Sequence, residues 1–317
     1  MTYFAAITDS PVGDDCSVER SVLAGIRVEK VSWRDEDSLI EALSDVDAVM
    51  CMHAPMSSTV IRGLRRCKII ATYGVGVDNI DVEEAEARGI AVAGVADYCS
   101  EEVANHTLAL ILAWNRKILD YHRFVIKRGW NERQSTTGNW GCGQLSRLSG
   151  QTLGLVGFGH IGQSVASRAR AFGIQVLAFD LQPDENASQR LGVRLVTLEE
   201  TLAQSDFLSL HVPLSAETQH LIDDDTIKLM KPGAVLVNTS RGALVNEAAL
   251  VKALEGGHLA GALLDVYEKQ PLPPEHPLRD LPNVILTPHV AFYSEGALET
   301  LRRRTAEAVL KCLEPGE

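Results

Sequence analysis

Short, continuously apolar runs alternate with amphipathic stretches along most of this chain. In the first hundred residues the runs cover residues 4–7, 48–52, 68–72 and 90–93. A second series covers residues 153–156, 175–179, 207–211, 234–238, 261–265 and 284–287. Strands buried on both faces have continuous apolar runs, and helices between them favour a parallel sheet covered on both sides. The pattern therefore predicts an α/β chain with two doubly wound parallel sheets.

The segment between the two series predicts a long helix that joins two domains. Ser100, followed by two glutamates, is typical of a helix N-terminus, and a long apolar face follows it. Residues 129–150, rich in Gly, Ser, Thr and Asn, predict a loop before the second series.

The end of the chain has the pattern of an amphipathic helix, residues 295–313, which we expect to pack back on the first domain. The first domain is then discontinuous. We expect it to comprise residues 1–99 with 290–317, and the second domain to comprise residues 100–289.

Composition narrows the class of protein. The net charge of −12 argues against a nucleic-acid partner, and the Arg302, Arg303, Arg304 triplet is expected to be a solvated helix face. No apolar run is long enough to span a bilayer, and the first residues do not resemble a signal peptide. The six cysteines are scattered without a CxxC pair, which favours a reducing cytoplasm and predicts no metal site.

The strongest motif lies at the start of the second series. Gly157, Gly159 and Gly162 form a GxGxxG sequence between a predicted strand and a predicted helix. Such glycines permit the tight turn, the approach of the backbone to a pyrophosphate and close helix–strand packing. Asp180 ends the next strand at the position where a carboxylate accepts the ribose hydroxyls of NAD and repels the 2′-phosphate of NADP. The pattern predicts an NAD site.

Chemistry-bearing residues follow three later strands. Arg241, Asp265 and His289 each come at the end of an apolar run. The carboxyl ends of strands in a doubly wound sheet converge on the ligand site. An arginine there can bind a carboxylate with two parallel hydrogen bonds, and a histidine can exchange a proton with a carbonyl or an alcohol. The three residues favour an oxidoreductase acting on a small acid.

The chain resembles the D-isomer-specific 2-hydroxyacid dehydrogenase family nearly from end to end. The resemblance is carried by the GxGxxG motif together with the segments at residues 73–81, 102–107, 238–245, 261–266 and 287–289. It implies two Rossmann-like domains with the active site in the cleft between them, NAD as cofactor and usually a homodimer. Arg241 matches the substrate-binding arginine of the family, and His289 matches its acid/base.

The resemblance also assigns further contacts. The loop whose backbone amides hold the substrate carboxylate corresponds to Tyr73, Gly74, Val75 and Gly76, and His53 falls where relatives place a substrate-facing residue. Asp265 matches a carboxylate near the nicotinamide. The other cofactor positions are Thr107, His160, Ile161, Val212, Pro213, Thr218, Thr239 and Ser240, together with the three glycines, Asp180 and His289.

One position departs from the family pattern. Relatives typically carry a glutamate that hydrogen-bonds the catalytic histidine five residues after the aspartate, and here that position is Gln270. A carboxylate stabilises an imidazolium by charge as well as by a hydrogen bond, whereas an amide keeps only the bond. We therefore expect a lower pKa of His289 than in relatives with glutamate, and an optimum for 2-oxo acid reduction at a more acidic pH.

Gln270 leaves alternatives open. Formate dehydrogenases of the same family resemble the chain at this position, and formate oxidation needs no proton transfer. A disabled enzyme is a second alternative. A third is an NAD-responsive, corepressor-like binding protein similar to the C-terminal-binding proteins of the family, which the residues after Pro288 resemble. The leading prediction is an NAD-dependent oxidoreductase of a small 2-hydroxy or 2-oxo acid.

Overall fold

The computed structural model describes residues 3–128 and 145–314. Residues 129–144, with Cys142 and most of the predicted loop, lie outside the described residues. The chain divides into two compact units, one formed by Met1–Cys99 with Tyr293–Glu317 and the other by Ser100–Phe292. Each is an α/β unit built on a parallel sheet.

The first unit contains a five-stranded parallel sheet in the order β2-β1-β3-β4-β5 over its described residues. Its strands are β1 (Phe4–Ile7), β2 (Arg27–Lys30), β3 (Ala48–Cys51), β4 (Ile69–Thr72) and β5 (Ala91–Ala93). The helices between them are α1 (Ser17–Val22), α2 (Glu36–Leu43), α3 (Ser58–Gly63) and α4 (Val82–Ala87). Apolar clusters cover both faces of this sheet, as its continuous apolar strands require.

The second unit opens with α5 (Ser100–Asn115) and α6 (Ile118–Arg128). Its described strands form a seven-stranded parallel sheet in the order β12-β11-β10-β9-β6-β7-β8. They are β6 (Thr152–Val156), β7 (Gln175–Phe179), β8 (Arg194–Leu195), β9 (Phe207–Leu210), β10 (Val235–Asn238), β11 (Gly261–Leu264) and β12 (Val284–Leu286). The later helices are α7 (His160–Ala171), α8 (Glu185–Leu191), α9 (Leu198–Gln204), α10 (Asp224–Leu229) and α11 (Glu247–Glu255), with short 3-10 helices at Gly242–Leu244 and Pro277–Arg279.

The sequence prediction of two doubly wound parallel sheets is confirmed. Two strands were not predicted, β2 and β8. β2 is an edge strand with one buried residue, Val28, among charged neighbours, and β8 is two residues long at the other sheet's edge. Edge strands lack the continuous apolar run that marks a central strand, so the pattern does not reveal them.

The C-terminal helix, α12 (Glu295–Leu313), packs against α1 and β4 of the first unit. The expectation of a solvated arginine triplet on this helix is wrong for Arg302, which is only 6% exposed. Its guanidinium donates to Glu19 Oε2 at 2.7 Å and to Asp15 Oδ2 at 3.0 Å. A buried arginine requires such partners. A partner that is distant in the sequence cannot be predicted from the local pattern of residues.

Among the helices of the described ranges, none combines the length and apolarity needed to cross a membrane.

Candidate active site

The glycine motif forms a turn between β6 and α7, at the point where the strand order reverses. Gly157 has a φ of +102°, and a Cβ there would lie 2.6 Å from the backbone of His211. A Cβ on Gly162 would lie 2.3 Å from the Gly157 carbonyl oxygen. Both positions therefore require glycine, because side chains would collide with backbone atoms.

Gly159 has a different environment. It is the N-cap of α7, and a Cβ there would meet no atom within 4 Å. The first turn of α7, with His160 and Ile161, thus faces open space with the positive end of the helix, which suits a pyrophosphate. The turn fits the phosphates of a dinucleotide.

Asp180 follows β7 and lies beside this turn. Its carboxylate accepts from the amides of Phe158, at 2.6 Å, and Gln182, at 2.9 Å. The two amides fix the orientation of the carboxylate and leave further lone pairs for ribose hydroxyls. A second anionic group, such as a 2′-phosphate, would face an oriented negative charge here.

The loops after β9 and β10 are bonded to each other and to α5. Ser240 Oγ donates to the carbonyl oxygen of Val212 at 2.7 Å, and the hydroxyls of Thr107 and Thr239 lie 3.0 Å apart. Thr218 Oγ1 donates to the Pro213 carbonyl oxygen at 2.8 Å. These bonds bring the expected cofactor residues of three different elements to the same edge of the sheet.

Arg241 belongs to the loop after β10, which Asn238 shapes. The side chain of Asn238 accepts from the amide of Ser240 at 3.0 Å and donates to the carbonyl oxygen of Arg241 at 2.8 Å. Arg241 Nη1 donates to the Ser240 carbonyl oxygen at 2.9 Å. The guanidinium is half-buried at the carboxyl end of a central strand, where an anion can be bound.

His289 and Gln270 form a direct pair. The distance from His289 Nδ1 to Gln270 Oε1 is 2.7 Å. Gln270 Nε2 in turn donates to the carbonyl oxygen of Tyr267 at 3.3 Å, which points Oε1 towards the histidine. An amide oxygen can only accept, so Nδ1 carries a proton and Nε2 is the nitrogen that can exchange one with a substrate.

The backbone at His289 is strained and held by Asp265. His289 has a φ of +54°, in the left-handed region that a non-glycine residue rarely adopts. Asp265 is fully buried, and its carboxylate accepts from the amides of Val290, at 3.0 Å, and Ala291, at 2.8 Å. Strain of this kind persists only where the surroundings determine it, and it concentrates at functional sites.

Asp265 has hydrogen-bond partners that the sequence did not predict. Its Oδ1 also accepts from Thr287 Oγ1 at 2.5 Å, and that hydroxyl lies 3.0 Å from His106 Nε2. The expectation that Asp265 lies near the nicotinamide stays a prediction, and the structure shows that its carboxylate holds the backbone next to His289. The same bonds explain why residues 290–292 belong to the second unit, although the sequence placed the return to the first domain at residue 290.

The first unit holds the predicted carboxylate loop. Tyr73 differs from expectation: its side chain is 2% exposed, its hydroxyl donates to Glu19 Oε1 at 3.1 Å, and its amide donates to Cys51. Within the described ranges, the amides of Gly74, Val75 and Gly76 donate to no oxygen of the chain. Three consecutive amides of this kind suit a carboxylate, as expected for Gly74, Val75 and Gly76, whereas the amide of Tyr73 is already bonded to Cys51.

His53 lies at the end of β3 with an exposed side chain. Its amide donates to Asp9 Oδ2 at 2.6 Å, and the amide of Met52 donates to Asp9 Oδ1 at 3.0 Å. Asp9 thus occupies the backbone donors of this turn, and any contact of His53 with a substrate has to come from its imidazole.

Three residues that form hydrogen bonds around Asp265 and His289 were not predicted as site residues from the sequence: His106, Tyr267 and Thr287. Each acts through a hydrogen bond to a residue distant in sequence. The only local signal is that Thr287 and Tyr267 stand within two residues of His289 and Asp265, respectively.

A doubly wound domain with this dinucleotide turn and an arginine and a histidine at its strand ends is typical of NAD-dependent dehydrogenases. The model of the D-isomer-specific 2-hydroxyacid dehydrogenase NAD-binding domain matches residues 108–291. The chain belongs to the D-isomer-specific 2-hydroxyacid dehydrogenase family, and it is an NAD-dependent oxidoreductase.

Its relatives include reductases and dehydrogenases of small 2-oxo and 2-hydroxy acids by name. The chain is 42% identical to a glyoxylate reductase of Korarchaeum cryptofilum, over 89% of this chain and 84% of the relative. It is similar to the structure of a D-lactate dehydrogenase of Aquifex aeolicus complexed with NAD and lactic acid, with 29% identity and a TM-score of 0.86 over 98% of this chain and 96% of that one. It is also similar to a glyoxylate reductase of Paecilomyes thermophila, with 29% identity and a TM-score of 0.86 over 100% and 97%.

Proposed function

We propose that this protein reduces a small 2-oxo acid, such as glyoxylate or pyruvate, to the corresponding 2-hydroxy acid, with the D configuration where C2 is a stereocentre. In this proposal His289 is the acid and Arg241 is the carboxylate-binding residue. The observation that carries the proposal is the 2.7 Å contact from His289 Nδ1 to Gln270 Oε1. It leaves Nε2 to deliver a proton to the carbonyl oxygen of the substrate. Similarity to glyoxylate reductases supports a small substrate.

Each residue has a separate function in the proposed reaction. NADH supplies the hydride that reduces C2. Arg241 neutralises the carboxylate and orients the neighbouring carbonyl, and the amides of Gly74, Val75 and Gly76 are donors of the kind that bind a carboxylate. His289 gives its Nε2 proton as negative charge develops on the carbonyl oxygen. Asp265 keeps the backbone of His289 in its strained conformation.

The cofactor is expected to lie along the edge of the second sheet. The turn containing Gly157, Gly159 and Gly162 would bind its pyrophosphate, and Asp180 its adenosine ribose. The residues near the later strands, among them Val212, Pro213, Thr239 and Ser240, would contact the rest of the molecule. The oriented carboxylate of Asp180 supports a preference for NADH over NADPH.

The first test is NADH oxidation with glyoxylate, hydroxypyruvate, pyruvate and phenylpyruvate, at about pH 5.5 and about pH 7.5. We expect one of the small acids to give the highest kcat/KM, a higher rate at the lower pH, and at least about 10-fold lower kcat/KM with NADPH. Binding of NADH without turnover of any acid would contradict the proposal and favour the corepressor-like protein. Reduction of NAD by formate in a separate assay, with no turnover of the four 2-oxo acids, would favour the formate dehydrogenase branch.

The substitution Gln270→Glu tests the partner of His289. The carboxylate stabilises the imidazolium by its charge, so the pKa of His289 rises. Reduction requires the protonated imidazole, and its rate falls as pH rises through that pKa, so the alkaline limb of the pH–kcat profile moves to higher pH by the same amount. Gln189→Glu, an exposed glutamine on α8, is the matched control. An unmoved limb in Gln270→Glu would show that the amide does not set the proton affinity of His289.

The family resemblance also implies a homodimer. Helix α6 exposes Ile118, Val125 and Ile126 at 53%, 51% and 69%. Exposed apolar side chains grouped on one helix support the expectation that a second copy of the chain covers this surface. Light scattering coupled to size-exclusion chromatography measures the mass directly, and a monomer at micromolar concentration would contradict the expectation.

A further inference from the structure

The side chain of Tyr267 contacts the backbone at two strand ends. Its hydroxyl lies 2.8 Å from the carbonyl oxygen of Thr287 and 3.2 Å from that of Leu264. Leu264 ends β11 and Thr287 follows β12, so one hydroxyl joins the carboxyl ends of the strands that lead to Asp265 and His289. The ring is 6% exposed and belongs to an apolar core of the second unit.

The backbone of the same residue orients the partner of His289. The carbonyl oxygen of Tyr267 accepts from Gln270 Nε2 at 3.3 Å. This contact distinguishes the two ends of the amide, so that Oε1 faces His289 Nδ1 at 2.7 Å. A carboxylate in this position would place its second oxygen against the carbonyl oxygen of Tyr267. The local backbone is therefore complementary to the amide of Gln270.

The loop that carries Arg241 also packs on Tyr267. A Cβ on Gly242 would lie 1.9 Å from the carbonyl carbon of Tyr267 and 2.0 Å from its carbonyl oxygen. No side chain can separate these two segments, so a shift of Tyr267 moves the residue next to Arg241 as well. Tyr267 thus touches the segments that carry Arg241, Gln270 and His289.

We propose that Tyr267 is a positioning residue for the proton transfer at His289. Its hydroxyl fixes the backbone two residues before the histidine, and its carbonyl fixes the amide that holds Nδ1. The proposal deepens the function proposed above and rests on it. Burial and the neighbouring Asp265 carboxylate raise the pKa of Tyr267 to about 12, so the hydroxyl keeps the proton that it donates.

The variant Tyr267→Phe removes the hydroxyl and retains the ring. The Thr287 carbonyl loses its donor, and the chain that carries His289 is free to shift relative to Gln270. We expect kcat for the 2-oxo acid to fall by about 10-fold to 100-fold, since small misplacements of reacting groups cost this much. The KM for NADH should stay within about 2-fold, because Tyr267 lies away from the glycine turn. Tyr3→Phe, which alters a tyrosine of the first unit, is the matched control.

A second readout does not depend on turnover. In ¹⁵N-histidine NMR of the whole protein, His289→Asn assigns the His289 signals. We expect a protonated, slowly exchanging Nδ1 in the native protein and in Tyr3→Phe, and a weakened or lost Nδ1–H signal in Tyr267→Phe. Gln270→Leu, which removes the amide and leaves Tyr267 in place, should lose the same signal. If thermal unfolding shows that Tyr267→Phe folds poorly, the signal of Gln270→Leu can still contradict the proposal.

The outcomes separate the two proposals. A native Nδ1–H signal and native kcat in Tyr267→Phe would overturn the positioning function of Tyr267. A retained signal in Gln270→Leu would overturn it as well, because Nδ1 would then not depend on the oriented amide. Absence of 2-oxo acid turnover in the native protein would overturn the proposed function, while the NMR comparison would still decide whether Tyr267 holds the Gln270–His289 pair.

Discussion

The substitution His289→Asn is expected to lower kcat for 2-oxo acid reduction by about 1,000-fold, within the range of 10²–10⁴ that positioned general acids contribute. Asparagine can keep a hydrogen bond to Gln270, but it has no proton to deliver near neutral pH. Binding of NADH should change little, because the glycine turn and Asp180 belong to other strand ends.

The pH profile distinguishes the loss of an acid from a general disturbance. The residual activity of His289→Asn should no longer fall along the alkaline limb that the imidazole causes in the native protein. His258→Asn is a suitable control, because that histidine lies 2.9 Å from the Ile227 carbonyl oxygen, in the helix α10 region. A fall in kcat of less than about 10-fold in His289→Asn would show that this histidine is not the proton donor.

The second large effect is expected at Arg241. Arg241→Gln removes the charge and the paired donors, and each hydrogen bond to a charged group is worth about 1.5–3 kcal/mol. We expect kcat/KM to fall by about 100-fold to 1,000-fold, mostly through KM for the 2-oxo acid. Arg241→Lys keeps the charge but loses the planar pair of donors, so it should recover only part of the loss.

The comparison needs a control for lost positive charge. Arg303→Gln serves, because Arg303 is exposed and bonded to Glu299 on the C-terminal helix. An unchanged KM in Arg241→Gln would show that the carboxylate is bound elsewhere. Equal falls in kcat and kcat/KM would instead place the contact of Arg241 in the transition state alone.

Features that repeat along the chain were predictable from sequence. The central strands of both sheets follow from continuous apolar runs, and the turn at Gly157 follows from glycines that backbone contacts enforce. Strands β2 and β8 were missed, because an edge strand buries too few residues to leave an apolar run.

Contacts between distant residues were not predictable. Nothing around Arg302 indicates that Glu19, far away in the sequence, will bury it. Nothing near Asp265 in the sequence indicates that its carboxylate accepts from the amides of Val290 and Ala291. Tyr267 has the pattern of a core residue, and its importance comes from which carbonyl its hydroxyl reaches.

The structure gives Gln270 a defined set of hydrogen-bond partners. By sequence it is a departure from the family pattern that left a disabled enzyme open. In the structure both ends of its amide have a hydrogen-bond partner, His289 on one side and the Tyr267 carbonyl on the other. An amide that is oriented in this way supports His289 as a functional acid whose hydrogen-bond partner, Gln270, is uncharged.

The most direct test of the proposed reaction follows the hydrogen itself. The protein is incubated with pyruvate and NADH that carries deuterium at the transferable C4 position, and the product is analysed by NMR and chiral chromatography. We predict D-lactate with deuterium bonded to C2. Deuterium elsewhere, lactate of the L configuration, or oxidation of the cofactor without a labelled hydroxy acid would contradict it.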